Sequence, residues 1–248
     1  MNNYYFNNKP QIDVYEKPKK GSNISSQILF GEKFKIINKN KKYFKVQLNY
    51  DKYVGFILKK NFFKSYKPTH KVKVLKSLIY KKGNLLSATK KYLSFSSSLQ
   101  ILDKNKNFYK FAPSMWLKKK DVCKSNKTSK NFKRIFKLFE GCKYKWGGKS
   151  FNGIDCSGLI QIYFKFNNKF FPRDTIDQIK FKKGTDRKSK FKSGDLIYWN
   201  GHVAACINNK KLIHAYGPMK KVVVMHIDET IKIIKLTAAL KIKKIYSI

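Results

Sequence analysis

With 248 residues, 42% of them hydrophobic and 15% aromatic, the chain has enough Phe, Tyr and Ile to build real cores, which excludes a disordered polypeptide. No run approaches the ~18 apolar residues that a membrane-spanning helix requires, and four cysteines are too few for a disulfide scaffold. The charge is extreme, with 56 basic residues against 14 acidic and a net +42.

A polyanion binder would carry such a charge as a clustered patch. A coding bias toward AAA and AAT would instead raise Lys, Asn, Ile and Phe together. The second reading fits better, because Lys and Asn run through every segment. Arg, the residue that reads bases bidentately, occurs only at 134, 173 and 187. The N-terminal MNNYYFNNKPQIDVY has no charged region followed by an apolar stretch, so no signal peptide is read and a cytoplasmic protein is expected. Its cysteines, Cys123, Cys142, Cys156 and Cys206, are then expected to be reduced.

From Ile12 to Leu58 the pattern predicts short strands at Ile28–Phe30, Phe34–Ile37, Tyr43–Leu48 and Tyr53–Ile57, separated by Gly- and Asn-containing turns. Such spacing in about fifty residues suggests a small barrel. Ser65–His70 reads as a linker. A second strand-rich block follows, with Val72–Leu75, Ser77–Tyr80, Leu99–Leu102, Phe108–Phe111 and Met115–Leu117 as its strands. Its end, Ala112–Leu117, echoes Tyr53–Ile57, which predicts a tandem pair of diverged barrels over 1–64 and 70–122. Cys123–Lys130 is polar and reads as an inter-domain linker.

The third domain, 131–248, opens with Phe132, Ile135, Phe136, Leu138 and Phe139 at helical spacing, stopped by Gly141. Next comes YKWGGKSFNGIDCSGL, residues 144–159. Asp155 is a candidate N-cap and Cys156 falls in the first turn of an apolar helix. There the free N–H groups and the helix dipole favour a thiolate, so the stretch reads either as a nucleophile mount or as a buried structural cysteine. Asp174 or Thr175 can cap a short helix running through Gln178. Strands are predicted at Leu196–Trp199, His202–Ile207, Lys211–Ala215 and Val222–Met225, with Ile227–Leu236 and Ile242–Ile248 finishing the sheet. A helix followed by an antiparallel sheet is an α+β arrangement.

A cysteine hydrolase needs a base and a group that orients the base. His70 lies in a predicted linker and His226 beside Asp228-Glu229, both read as solvated. His202 and His214 lie on consecutive predicted strands and face the same side if the turn between them holds an odd number of residues. Neighbours on one sheet face then stand ~5 Å apart, or ~7 Å on the diagonal. A pair of histidines following a helix-start cysteine favours the nucleophile over two satisfied core histidines. A metal site of Cys156, His202 and His214 is the lesser option, since no CxxC or HxxxH spacing accompanies it.

WGGKSFNGIDCSGLIQIYF, SGDLIYWNGHVAACI and LIHAYG, in that order, resemble the NlpC-type cell-wall cysteine peptidases, which are papain-like in fold. The two preceding blocks resemble the paired bacterial SH3-like barrels of the γ-D-glutamyl-L-diamino-acid endopeptidases of the dipeptidyl-peptidase VI type. The resemblance implies Cys156 as nucleophile, His202 as base and acid, His214 as orienting residue, and Tyr144 as an oxyanion donor beside the Cys156 N–H. It implies Ser157, Arg173, Asp174 and Thr175 around a γ-D-glutamyl group, and Asp155, Tyr53 (in DKYVGFI) and Glu16 (in VYEKP) around the substrate's free amine. Phe56 stands where such barrels commonly have Trp, and Thr175 where Ser is frequent.

The expectation is therefore a peptidase that needs no cofactor or metal and no obligatory nucleic acid. Its substrate would be a murein peptide beginning with free L-Ala, cut between γ-D-glutamate and the diamino acid during wall recycling. The rivals are an enzyme that reaches intact wall by non-standard export and a non-catalytic basic module that binds wall polymer or nucleic acid.

Overall fold

A computed structural model describes residues 4–187 and 189–248. The chain divides into two compact units, Met1–Thr128 and Ser129–Ile248. Among the described residues no helix is long and apolar enough to cross a membrane.

The first half of the first unit holds strands β1 (Tyr4–Phe6), β2 (Gln11–Tyr15), β3 (Ile24–Leu29), β4 (Lys33–Lys39), β5 (Tyr43–Leu48) and β6 (Val54–Leu58). They form one six-stranded sheet in the order β1-β4-β5-β6-β2-β3. Val14, Ile28, Phe34, Ile36, Val46, Leu48 and Ile57 fill its core, following the period-2 alternation of half-buried strands. The second half holds β7 (His70–Val72), β8 (Lys76–Tyr80), β9 (Ala88–Ser94), β10 (Ser98–Leu99), β11 (Asp103–Lys104), β12 (Phe108–Ala112), β13 (Met115–Lys118) and β14 (Val122–Lys124). These make a three-stranded sheet, β10-β7-β14, and a five-stranded sheet, β11-β12-β13-β8-β9.

Neither half forms the closed barrel that the strand spacing suggested. Among the described residues, β1 and β3 are the two edge strands of the first sheet and do not pair with each other, and the second half is split between two sheets. Pro10, between β1 and β2, has no N–H to give and contributes only its carbonyl, to Phe30 N at 3.1 Å.

The two linkers also differ from expectation. Tyr66 is 7% exposed and joins Phe30, Val72, Leu93, Leu99 and Phe111 in a single core. Its hydroxyl accepts from Gln100 N at 2.8 Å and donates to the Ser98 carbonyl at 3.3 Å. The segment is thus a packed joint, because its aromatic ring had apolar surface to bury. At the same seam Gly31, with φ +72°, lies so close to the Ser98 carbonyl that no Cβ would fit. Cys123 and Lys124 belong to β14, paired with Lys71 and His70, so the polar connection begins after them. His70 is accordingly a half-buried strand residue, with its ring 5.1 Å from that of Tyr109.

The second unit begins with α1 (Phe132–Leu138), then a two-stranded ladder of β15 (Lys149–Ser150) and β16 (Gly153–Ile154). α2 (Cys156–Phe166) and α3 (Thr175–Phe181) follow. The chain then forms β17 (Asp195–Trp199), β18 (His202–Cys206), β19 (Lys211–Tyr216), β20 (Lys221–His226), α4 (Ile227–Ala238) and β21 (Lys244–Ser247). The sheet is antiparallel in the order β20-β19-β18-β17-β21.

α4 corrects the prediction that Ile227–Leu236 would continue the sheet. Its isoleucines favour strands on propensity, but Ile227, Thr230 and Ile234 repeat at helical spacing and are buried. Asp228 and Glu229 occupy its first turn, where negative charge is favoured. Ile227 and Ile234 pack on Ile197, Trp199, Ala204 and Leu212 of the sheet, and exposed His226 stands at the helix N-cap.

Candidate active site

Every residue of α2 except Lys165 is buried. Its Phe-rich flank explains this: Tyr163 packs on Phe136 of α1 at 5.8 Å, and Phe164 stacks on Phe171 at 4.0 Å. The helix start is held from three directions. Asp155 Oδ1 accepts from Gly158 N at 2.7 Å, from the Ser157 hydroxyl at 3.3 Å and from Arg173 Nη1 at 3.0 Å. Its Oδ2 accepts from Gly147 N at 2.8 Å and from Arg173 Nη2 at 2.6 Å. Arg173 Nη1 also donates to Ser157 Oγ at 2.9 Å, and Nη2 to the Gly148 carbonyl at 3.4 Å. Gly158 sits against that same carbonyl, where a Cβ would come within 2.6 Å.

This knot engages residues that the resemblance placed around a substrate. A carboxylate offers about four lone-pair sites, and five donors address Asp155, so its carboxylate is fully engaged within the chain. Arg173 is 3% exposed, and its guanidinium is committed to Asp155 rather than to a substrate carboxylate. Ser157, 6% exposed, lies within the same network.

Cys156 is a free thiol, 5% exposed, with Sγ donating to the Gly201 carbonyl at 3.9 Å. The start of α2 thus abuts the residue preceding His202. Burial and the Asp155 carboxylate push the thiol up to about 12, against the downward pull of the Val203 and Ser157 N–H groups and Arg173. The helix start was expected to favour a thiolate; desolvation outweighs it here, and the resting group is a thiol.

β18 and β19 pair with Ala205 opposite Ile213 and Cys206 opposite Leu212. Asn208-Asn209-Lys210 form the turn, closed by Ile207 N to the Lys211 carbonyl at 2.9 Å. That is three residues, the odd number required, and His202 and His214 share a face on the diagonal. Their rings are hydrogen-bonded, Nε2 of His202 to Nδ1 of His214, at 2.9 Å. Burial lowers His202 to about 4, and burial plus the neighbouring His202 lowers His214 to about 3. Both are therefore neutral at pH 7. Two supporting contacts escaped sequence reasoning. Tyr216 stacks on the His214 ring at 4.7 Å and 12°, and Met225 Sδ lies 3.3 Å from His214 Nε2. Only the strand register could have revealed them.

Tyr144 is half-buried, bridged to Ile154, and hydrogen-bonded through its N–H to Lys220 O at 2.8 Å. Its hydroxyl is raised by burial and then by Cys156 and Asp155, which keeps it a neutral donor near the thiol. Asp174 is the N-cap of α3 but makes no side-chain cap bond, and Thr175 is that helix's first residue; both are half-buried. Cys206 is a fully buried core residue. Tyr53 and Glu16 belong to the first unit, where Tyr53 packs on the core and exposed Glu16 accepts from Asn23 Nδ2 at 3.3 Å. Among the described residues no three His, Cys, Asp or Glu side chains converge as metal ligands.

Comparison with known proteins gives this geometry its context. Residues 141–241 match the NlpC/P60 family, and residues 14–62 match the bacterial dipeptidyl-peptidase Sh3 domain. Over 153 residues the chain is 29% identical to the gamma-D-glutamyl-L-lysine dipeptidyl-peptidase of Bacillus subtilis, covering 56% of this chain and 51% of that protein. Over 89 residues it is 38% identical to dipeptidyl-peptidase 6 of Lysinibacillus sphaericus, covering 35% and 32%. The chain thus spans about half the length of the first relative and about a third of the second. A crystal structure of an NlpC/P60 family protein from Bacillus cereus has the same fold, with a TM-score of 0.78, 18% identity, and 91% and 94% of the two chains covered. Residues 141–241 thus carry an NlpC/P60 domain, and residues 14–62 a bacterial dipeptidyl-peptidase Sh3 domain.

Proposed function

We propose that this chain is a cysteine endopeptidase that hydrolyses the γ-D-glutamyl–diamino acid bond of short murein peptides with a free N-terminal L-Ala, in wall-peptide recycling inside the cell. The observation that carries the reading is a buried thiol at a helix start, next to the residue preceding His202, whose ring is hydrogen-bonded to His214 of the neighbouring strand. The substrate is supported by the similarity to the gamma-D-glutamyl-L-lysine dipeptidyl-peptidase of Bacillus subtilis. In this reading 131–248 is the papain-like catalytic domain, and 1–64 and 70–122 are two diverged SH3-like blocks whose sheets stay open.

The roles proposed for the site residues are these. His202 Nε2 is occupied by His214, which leaves Nδ1 to take the Cys156 proton. Sγ then attacks the γ-carbonyl carbon of D-glutamate. The oxyanion is met by the Cys156 N–H and the Tyr144 hydroxyl, donors aimed at developing charge. Collapse breaks the C–N bond, and His202 passes its proton to the departing amine of the diamino acid. Water, deprotonated by His202, hydrolyses the thioester and releases L-Ala-γ-D-Glu. Because the resting pair is a neutral thiol and a neutral imidazole, the proton moves as the nucleophile attacks. Asp174 and Thr175, both half-buried at the start of α3, are the side chains proposed to line the γ-D-glutamyl pocket.

Cys156→Ala should abolish release of L-Ala-γ-D-Glu from a murein tripeptide; undiminished release would refute the assignment. Acetylating the substrate's N-terminus should also stop cleavage. An enzyme of intact wall would tolerate that block.

A further inference from the structure

His214 has two ring nitrogens and two different neighbours. Nδ1 faces His202 Nε2 at 2.9 Å, and Nε2 faces the thioether of Met225 at 3.3 Å. The strand register explains the second contact. Leu212 lies opposite Met225 and His214 opposite Val223 on β19 and β20, so Met225 is His214's diagonal neighbour on one face. Tyr216 stacks on the ring from the same strand, and His214 is fully buried. Water does not compete for either nitrogen.

A thioether sulfur has lone pairs and no hydrogen, so it can only accept. A bare nitrogen lone pair held 3.3 Å from it would leave two acceptors facing each other, and an N–H there makes a weak hydrogen bond. We infer that Met225 is a positioning residue that holds His214 with its proton on Nε2, so that His202 presents an unprotonated Nδ1 to Cys156. The chain of consequences is short. A neutral imidazole carries one ring proton. With it on Nε2, His214 Nδ1 is an acceptor. His202 must then donate from Nε2, and its own lone pair is left on Nδ1, where a base is needed. The opposite tautomer would place N–H on His202 Nδ1 and disable it as a base. The arrangement also serves the imidazolium formed after proton transfer, whose Nε2–H needs the same acceptor. Both rings being neutral at pH 7, from burial, makes the tautomer the deciding variable. The second-neighbour logic is that by which a buried partner fixes the tautomer of a catalytic histidine, here supplied by sulfur.

This inference deepens the proposed reading of His202 as base, and its test separates the two. The full chain, labelled with nitrogen-15 histidine, has only four histidines to resolve. Its long-range proton–nitrogen spectrum should show His214 protonated on Nε2 and bare on Nδ1. Met225→Leu keeps the volume and removes the acceptor. It should raise the Nδ1–H population of His214 and lower kcat roughly fivefold, the worth of one modest hydrogen bond, with KM unchanged. Met225→Gln restores an acceptor and should return both the tautomer and kcat. A wild-type His214 protonated on Nδ1 overturns the inference, as does a Met225→Leu chain with both readouts unchanged. The wild-type spectrum decides even if a variant fails to fold. If the spectrum is as expected but no murein tripeptide is cleaved, the tautomer lock stands and the substrate assignment fails.

Discussion

Two buried polar clusters flank Cys156, and they are built on opposite principles. On one side Asp155 and Arg173 are a full ion pair, with every carboxylate lone pair occupied. On the other side His202 and His214 carry no charge at pH 7 and share one hydrogen between two nitrogens. The ionic cluster ties the Gly147-Gly148 loop, the α2 start and the Arg173 segment into one piece, and has nothing left to exchange. The neutral cluster has a proton that can move. Charge therefore stands where the chain must be held, and neutrality where chemistry needs a group able to change state.

The contrast can be broken from either side. The largest effect is expected at His202→Gln, which should lower kcat by at least about a thousandfold while the melting temperature stays near wild type; stopped assays and calorimetry on the same sample check both. Arg173→Met should do the reverse. Leaving the Asp155 charge buried and unpaired costs about 3–5 kcal/mol, seen as a lowered denaturant midpoint, and kcat falls only as far as the helix start shifts. If Arg173→Met leaves stability unchanged, the knot is not the anchor described here.

The pH response sharpens the comparison further. Both histidines are lower in the folded chain than their ordinary 6.5, so the unfolded chain binds protons more readily. Their contribution to stability is complete above pH 6.5 and is lost as pH falls toward about 4 for His202 and about 3 for His214. A His202→Gln, His214→Gln double variant should show a flatter melting temperature between pH 7 and 4. The smallest effect concerns the thiol. Alkylation of Cys156 by iodoacetamide should be slow at pH 7 and should rise with pH toward about 12; rapid labelling at neutral pH would mean that the thiolate is stabilised after all.

Much of this was legible in the residues. Tyr43–Leu48 is a strand with the bounds its alternation gave, and the α2 helix begins at Cys156 with Asp155 as its cap. The shared face of His202 and His214 follows from an odd turn. What escaped was set by distance along the chain or by competition between local rules. The Asp155–Arg173 pair spans eighteen residues, and nothing local to either marks it. Ile227–Leu236 pitted β-branched propensity against helical spacing, and the spacing prevailed because α4 had a sheet face to cover. The thiol's protonation depends on how completely its surroundings exclude water, which no spacing records. Barrel closure depends on pairing between strand edges, which alternation within a strand does not specify.

The seam at Gly31 sets a boundary for anyone who would dissect this protein. Phe30 lends its ring to a core made mostly by residues after 65, and Ser98 N donates to the Phe30 carbonyl at 2.9 Å. The first 128 residues should therefore melt in one cooperative step. A fragment cut near residue 65 would expose Phe30 and Phe63 on one product and a hollow on the other, so the two sheet-rich halves belong in a single experimental fragment.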